Sequence, residues 1–154
     1  MTTSIRSCFA VFFVGLYGLT AFLASAAVAP RPSEEMMVEA THVVRGKVIA
    51  LSSKTQKSKV ERGLLIARDR IFTISLEVTT FEKGKDVKEG DKLIFEAWQP
   101  STRIPAMPGP QGHQPVPDKG DLVKVFLLFN EKSKTYYPIM PNGITILKKA
   151  KMSK

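Results

Sequence analysis

The sequence predicts an all-β protein, a single small barrel of five to six strands with a short N-terminal helix. Apolar and polar residues alternate along Phe72–Val78 and again along Leu93–Ala97, which is the period of a half-buried strand. Leu122–Phe129 is apolar on both sides apart from Lys124, which indicates a central strand. Turn residues separate most of these segments, and short strands spaced in this way are typical of barrels and sandwiches.

The first elements after the N-terminus are a helix and a bent strand. A helix is predicted from Ser33, which can cap it, to about Ala40, with two glutamates in the first turn near the positive end of the helix dipole. Thr41–Leu51 is rich in β-branched residues and predicts the first strand. A glycine inside a strand is unfavourable unless the backbone bends, so Gly46 predicts a bulge or a sharp bend.

The sequence patterns are weaker in the segments between the clear strands. Ser52–Arg70 is polar and basic, and it predicts either a long hairpin loop or a frayed extension of the strands. Tyr136–Ile139 predicts a short strand, and Ile144–Leu147 a last strand or the start of a helix. Pro141–Gly143 between them predicts a turn, with the residue types that a positive φ requires.

Gln99–Gly120 contains six of the ten prolines and three of the ten glycines. Because it lies between two predicted core strands, we interpret it as a long loop within one domain, and not as a linker. Pro105–Pro108 has the P-x-x-P spacing of polyproline II ligands. The other interpretation is a stiff cover over one end of the barrel. Loops of this length are usually functional or disordered, so we expect function to concentrate there.

The N-terminal segment has the layout of a secretory signal peptide. Arg6 is its only charged residue, Cys8–Leu23 is apolar, and Ala24–Ala26 has the small-x-small pattern of a cleavage site. An uncleaved anchor is the alternative, but the apolar run is shorter than the ~20 residues that span a bilayer. Cleavage predicts four parts: the signal 1–26, a helix and linker 27–40, a barrel domain 41–147 and a basic tail 148–154. The protein is therefore expected to be secreted or periplasmic, with no transmembrane segment after cleavage.

The expected mature chain is basic and free of cysteine. Its one cysteine, Cys8, belongs to the signal, which excludes disulfides, thiolate metal sites and thiol nucleophiles from the mature part. Without Arg6 the chain has 22 basic and 14 acidic residues, a net charge of +8. This charge favours anionic partners, although lysine clusters in predicted turns are also explained as solvated loop charge. A nucleic acid partner is not expected for an exported protein.

The order of these segments resembles the netrin-like module that the tissue inhibitors of metalloproteinases share. The matching segments are Val43–Val48, Phe72–Gly84, Leu93–Trp98 and Val123–Phe129, and the resemblance covers roughly 40–147. It implies an OB-type barrel of five strands. In that family an N-terminal cysteine chelates the protease zinc and disulfides tie the chain, whereas this mature chain has no cysteine. The resemblance therefore implies neither that inhibition nor any functional residue here.

Motifs for metal binding and catalysis are missing from the sequence. His42 and His113 are the only histidines and lack ligand spacing, so no metal and no cofactor is expected. We interpret His42 as a strand-start residue and His113 as an exposed loop residue. The nucleophile-elbow and phosphate-loop motifs are absent. Glu77 and Glu96 could meet across a hairpin, although a solvated face is the simpler interpretation.

The function predicted from sequence is a secreted, non-catalytic binding module whose partner is an unknown protein. Trp98, Tyr136 and Tyr137 could stack on a ligand, as aromatics on OB-type barrels do, but packing is the preferred interpretation for at least two of them. The alternative is electrostatic attachment to an anionic polymer or a membrane surface through lysines, including those of the tail, and a hydrolase is a distant third. The candidate binding residues are Lys83, Lys85, Lys88, Trp98, Arg103 and His113.

Overall fold

The computed structural model describes residues 29–107 and 111–150. This part is mostly β-sheet with one short helix, which confirms the all-β class. The elements in chain order are α1 (Ser33–Glu39), β1 (His42–Lys57), β2 (Ile66–Lys83), β3 (Lys92–Ile104), β4 (Leu122–Asn130), β5 (Thr135–Pro138) and β6 (Ile144–Lys148). The predicted signal peptide and residues 151–154 of the predicted tail lie outside the described residues. No helix in the described ranges is long and apolar enough to cross a membrane.

Strand pairings connect five strands in a ring. β1 pairs antiparallel with β2 and β4, β2 with β3, and β4 with β5, while β6 extends the sheet beside β4. The ring is completed by a parallel contact between β3 and β5, and this contact consists of one residue pair, Phe95 and Tyr136. The gap between β3 and β5 is therefore the place where other parts of the chain must supply contacts.

The apolar residues form two clusters, one inside the ring and one beneath α1. In the second cluster Met36 of α1 and Ala40, the residue directly after the helix, pack on Val43, Phe126 and Ile139. Each large side chain buried in this way stabilises the fold by about 1.5–3 kcal/mol. The fully buried members of the first cluster include Val44, Val48, Ile74, Leu76, Phe95, Val123, Val125, Leu127 and Ile144.

Gly46 marks a bend in β1, as predicted. The register between β1 and β2 shifts between Arg45 and Gly46. A Cβ atom on Gly46 would lie 2.3 Å from the carbonyl oxygen of Glu77, so the two strands approach too closely for any side chain. The glycine therefore permits the curvature that brings β1 against both β2 and β4.

Two predictions about local backbone structure were wrong. Pro32, and not Ser33, is the N-cap residue of α1, and no side chain caps the helix. Since Ser33 is already helical, its hydroxyl cannot take the capping position. Gly143 has no positive φ. It is required instead by close approach, because its Cβ would lie 2.4 Å from the carbonyl oxygen of Ile139.

Several strands are longer than the sequence pattern indicated. β1 and β2 stay paired from Val43 with Lys83 out to Lys57 with Arg68, so the strand extension was the correct alternative for the basic segment. β3 continues through Pro100 to Ile104. The first six residues of the proline-rich segment are therefore strand, and the loop between β3 and β4 begins at Pro105. The last segment is a strand and not a helix.

Candidate functional site

A cleft of about 520 Å³ lies where β3 faces the end of β5, on the side of the molecule that carries α1. Its volume is in the range of sites that hold small ligands or a partner's side chain, about 300–1,000 Å³. Most of its lining is apolar. The lining residues are Arg31, Glu39, Ile71, Glu96, Ala97, Trp98, His113, Leu128, Tyr137, Pro138, Ile139 and Met140.

The lining is placed by strand register. Ile71 on β2 is opposite Trp98 on β3, and Leu128 on β4 is opposite Tyr137 on β5. Residues opposite one another in neighbouring strands share a face, so each pair contributes two adjacent side chains to the cleft. Tyr137 is 40% exposed and Met140 39% exposed, so the cleft has large, solvent-accessible side chains at its mouth.

His113 fixes the floor of the cleft and is buried, with 3% exposure, so the interpretation of an exposed loop residue was wrong. Its backbone N–H donates to the Trp98 carbonyl at 2.8 Å, and the Trp98 N–H donates to His113 Nδ1 at 3.1 Å. His113 Nε2 lies 3.0 Å from the Pro138 carbonyl. These contacts fit the neutral tautomer with the proton on Nε2, which donates to Pro138 while Nδ1 accepts.

Burial lowers the pKa of His113, and its hydrogen bonds to Pro138 and Trp98 offset part of this effect. The neutral ring is thus the stable form in the folded protein near neutral pH. Both ring nitrogens already have backbone partners, so the ring has no free nitrogen to act as a base or as a metal ligand. His113 positions the cleft, and a direct binding role for it stays a prediction.

The rim of the cleft carries more negative than positive charge. Arg31 bridges Glu35 at 2.6 Å and Glu39 at 2.5 Å, so its charge is balanced within the helix region. Glu96 is exposed and makes no ion pair with any residue the structure describes. A cationic group on a ligand could therefore pair with the Glu96 carboxylate beside the apolar floor, although the protein as a whole is basic.

A second cavity of about 180 Å³ adjoins the cleft, and both are lined by Trp98 and Met140. Arg103 lines the smaller cavity and is almost buried, with a side chain 8% exposed. Its guanidinium pairs with Asp69 and donates to the carbonyl of Arg68 at 2.6 Å. It also donates to Gln111 Oε1 at 3.2 Å, which joins the proline-rich loop to the sheet. The contacts that the structure gives Arg103 are internal, and its predicted contact with a partner stays a prediction.

The three candidate lysines do not form one surface group. Lys83 Nζ donates to the carbonyls of Met37 and Val38, both at 3.0 Å, and so binds the last turn of α1. Lys85 and Lys88 are exposed in the connection between β2 and β3. The structure therefore places only two of the three where an anionic polymer could reach them freely.

The two candidate carboxylates and the three candidate aromatic residues are not each brought together in one site. Glu77 and Glu96 do not meet across the hairpin, because Glu77 is opposite Lys92 and Glu96 is opposite Thr73, and both are exposed as the preferred interpretation of a solvated face expects. Within residues 29–107 and 111–150, no group of three or more His, Cys, Asp or Glu residues could hold a metal ion. The third candidate aromatic, Tyr136, packs on His42 with ring centroids 5.0 Å apart, while Trp98 and Tyr137 line the cleft.

Several residues that line the cleft were not identified from the sequence. For two of them, Ile71 and Leu128, the sequence does contain a local signal. Ile71 is followed by Phe72, and Leu128 lies within the apolar run Val125–Phe129, so each has an apolar neighbour in its strand. Neighbours in a strand point to opposite faces, which means that an apolar residue lies on the outer face at both places. Met140 gives no such signal. A comparison of the chain with protein-family models, curated proteins and solved structures finds no match.

Proposed function

We propose that this protein is an exported, non-catalytic binding module, and that the cleft beside Trp98 receives an apolar side chain of a partner protein. The apolar cleft itself is the observation that carries the proposal. Its mouth holds Trp98, Tyr137 and Met140, and aromatic residues at the centre of an interface supply most of the binding free energy in known complexes. The signal-like N-terminal sequence supports export.

An OB-type barrel is part of the same proposal. The ring of five paired strands supports it, as does the position of the cleft, since Ile71 and Trp98 belong to β2 and β3. OB-type barrels bind their ligands on the face of strands two and three. The proline-rich loop has a supporting role in this proposal, because His113 holds the backbone of β3 at the floor of the cleft.

The charge at the rim indicates what surrounds the partner's apolar group. Glu96 is unpaired among the described residues, and Glu39 and Glu35 balance Arg31. We therefore expect the partner to present its apolar residue next to lysine or arginine. Complementary charge of this kind contributes mainly to specificity and to the rate of association.

The experiment compares two short peptides with the same aromatic residue and opposite charge. Capped Lys-Phe-Lys is expected to bind more tightly than capped Glu-Phe-Glu, with affinities measured by calorimetry. Tyr137→Ala is expected to weaken binding of the basic peptide about tenfold, which is the effect of a side chain at the centre of an interface. Glu96→Gln is expected to reduce the difference between the two peptides.

Lys85→Gln is the matched control, because Lys85 is exposed and does not line the cleft. It should leave both affinities unchanged. Equal affinity of wild-type protein for the two peptides would refute the role given to Glu96. No difference between Tyr137→Ala and the control would refute the cleft as the binding site.

A further inference from the structure

The far end of the β1–β2 hairpin exposes aliphatic side chains. Leu64 is 97% exposed, Ile104 55%, Ile66 47% and Val60 45%. Ile66 on β2 is opposite Ile104 on β3, so these two side chains lie on one face. We call these four residues the apolar tip. Exposed aliphatic residues grouped at one end of a fold mark an interaction surface more often than isolated ones do.

The turn that carries the tip is held by an acidic residue. Glu61 accepts a hydrogen bond from the Ala67 N–H at 3.0 Å, pairs with Arg68, and lies 3.4 Å from Lys57. The turn that contains Leu64 is therefore held by contacts within the protein. Because its backbone is fixed in this way, the Leu64 side chain stays exposed. The negative charge of Glu61 is balanced by Arg68 and Lys57.

Cationic side chains lie in the turn that carries the tip and along the two strands that lead to it. Residues 54–70 contain six Lys or Arg and two acidic residues, which gives a net charge of +4. Both acids are paired, Glu61 with Arg68 and Asp69 with Arg103. The four cations that are exposed and make no ion pair within the described ranges are Lys54, Lys59, Arg62 and Arg70.

We infer that the apolar tip inserts into the surface of a membrane that contains anionic lipid, while the surrounding cations contact the lipid headgroups. Aliphatic residues gain free energy at the boundary between headgroups and acyl chains, and each nearby Lys or Arg adds attraction to an anionic leaflet. A soluble anionic polymer would explain the cations but leave the four aliphatic side chains in water. The combination of both features therefore favours a lipid surface.

The residues of the apolar tip do not line the cleft, although Val60 lines the smaller cavity that adjoins it. The rim of the cleft has excess negative charge, which an anionic membrane would repel. The two surfaces are compatible with one molecule that lies on a membrane through the hairpin while the cleft holds a partner. The inference goes beyond the proposed function and does not depend on it.

The test is sedimentation of residues 27–154, without the predicted signal peptide, with vesicles of phosphatidylcholine that either lack or contain roughly one third phosphatidylglycerol. Wild-type protein is expected to bind the anionic vesicles and to bind the neutral ones much more weakly. Leu64→Asn is expected to weaken binding about tenfold or more, which is the effect of one leucine side chain left in water. Lys59→Gln and Arg62→Gln are each expected to weaken it about fivefold.

Two exposed residues away from the tip provide matched controls. Val38→Asn removes an aliphatic side chain that is 81% exposed on α1, and Lys85→Gln removes an exposed cation. Neither should change vesicle binding, and Tyr137→Ala in the cleft should not change it either. All variants are checked for an unchanged unfolding temperature.

Three results would overturn the inference. The first is failure of wild-type protein to bind the anionic vesicles, even if the tip were then found to bind a protein. The second is equal binding to neutral and anionic vesicles. The third is a loss with Val38→Asn or Lys85→Gln as large as the loss with the tip variants.

Discussion

His113 and Trp98 hydrogen-bond each other in both directions, since the His113 N–H donates to the Trp98 carbonyl at 2.8 Å and the Trp98 N–H donates to His113 Nδ1 at 3.1 Å. The other ring nitrogen of His113 contacts the Pro138 carbonyl at 3.0 Å. One side chain thus joins β3 to the end of β5, where the strands themselves share a single residue pair. The same contacts hold the floor of the cleft.

Replacement of this histidine should destabilise the protein. His113→Ala removes both side-chain hydrogen bonds, leaves the Trp98 N–H without its partner and opens a cavity, which together lower the free energy of unfolding by about 2–4 kcal/mol. Urea denaturation measures the change in the free energy of unfolding. Gln114→Ala is the control, because its exposed side chain makes no hydrogen bond within the described ranges, and it should change stability by less than about 0.5 kcal/mol. Equal stabilities of the two variants would contradict the role of His113.

Mild acid should destabilise the protein through its histidines. Burial lowers the pKa values of both His113 and His42 below 6.5, so the folded state binds fewer protons than the unfolded state in this range. The free energy of unfolding should therefore fall as the pH decreases from about 7.5 to about 5. Carboxylates with lowered pKa values, such as Glu61, lose their contribution only below about pH 4.5.

Denaturation at several pH values measures this dependence. In His113→Ala one of the two histidines is gone, so the fall in stability between about pH 7.5 and about pH 5 should be smaller than in wild-type protein. A wild-type stability that is constant or increases on acidification in this range would contradict the account.

Lys83 should matter for stability, whereas its neighbour Lys85 should not. Lys83 Nζ donates to two carbonyls in the last turn of α1, where the positive charge also interacts favourably with the helix dipole. Lys83→Met is expected to lower the free energy of unfolding by about 1 kcal/mol, whereas Lys85→Met should leave it almost unchanged. Thermal unfolding followed by circular dichroism compares the two. If both substitutions cost the same, Lys83 is a surface charge like Lys85.

The bend at Gly46 should tolerate no side chain. The Cβ of Gly46→Ala would lie 2.3 Å from the Glu77 carbonyl oxygen, and the strands must separate to accommodate it. Gly46→Ala is expected to lower the free energy of unfolding by about 2 kcal/mol or more. Ser52→Ala on the exposed part of the same strand is the control and should be near neutral. A stability of Gly46→Ala close to that of the control would show that the strands are not in close contact there.

The strands could be predicted from sequence because their signals are local. Alternation along Phe72–Val78 and the apolar run of β4 each require only neighbouring residues, and both segments are strands in the structure. The bend at Gly46 was also predictable, since a glycine inside a strand usually marks a bulge or a sharp bend. Local signals could not show that β3 continues through Pro100, because its pairing with Asp69 depends on the partner strand.

The cleft could be predicted only in part, because it is assembled by distant pairings. Trp98 was identified from its residue type, but the burial of His113 and Arg103 results from contacts with strands far away in sequence. Both residues lie in the segment predicted as a loop, where histidines and arginines are usually exposed, and no neighbouring residue indicates that these two are buried. Lys83 was likewise predicted to bind a partner because of its charge, and nothing near it in the sequence indicates that its side chain is bound to α1.

The most direct test of the proposed binding cleft uses the single tryptophan of the chain. Because Trp98 is the only tryptophan and lines the cleft, its indole N–H gives one assignable resonance in a nitrogen-proton correlation spectrum. Addition of the capped Lys-Phe-Lys peptide should shift this resonance in wild-type protein and shift it much less in Tyr137→Ala. An indole resonance that stays in place while the peptide binds elsewhere would contradict the assignment of the cleft as the binding site.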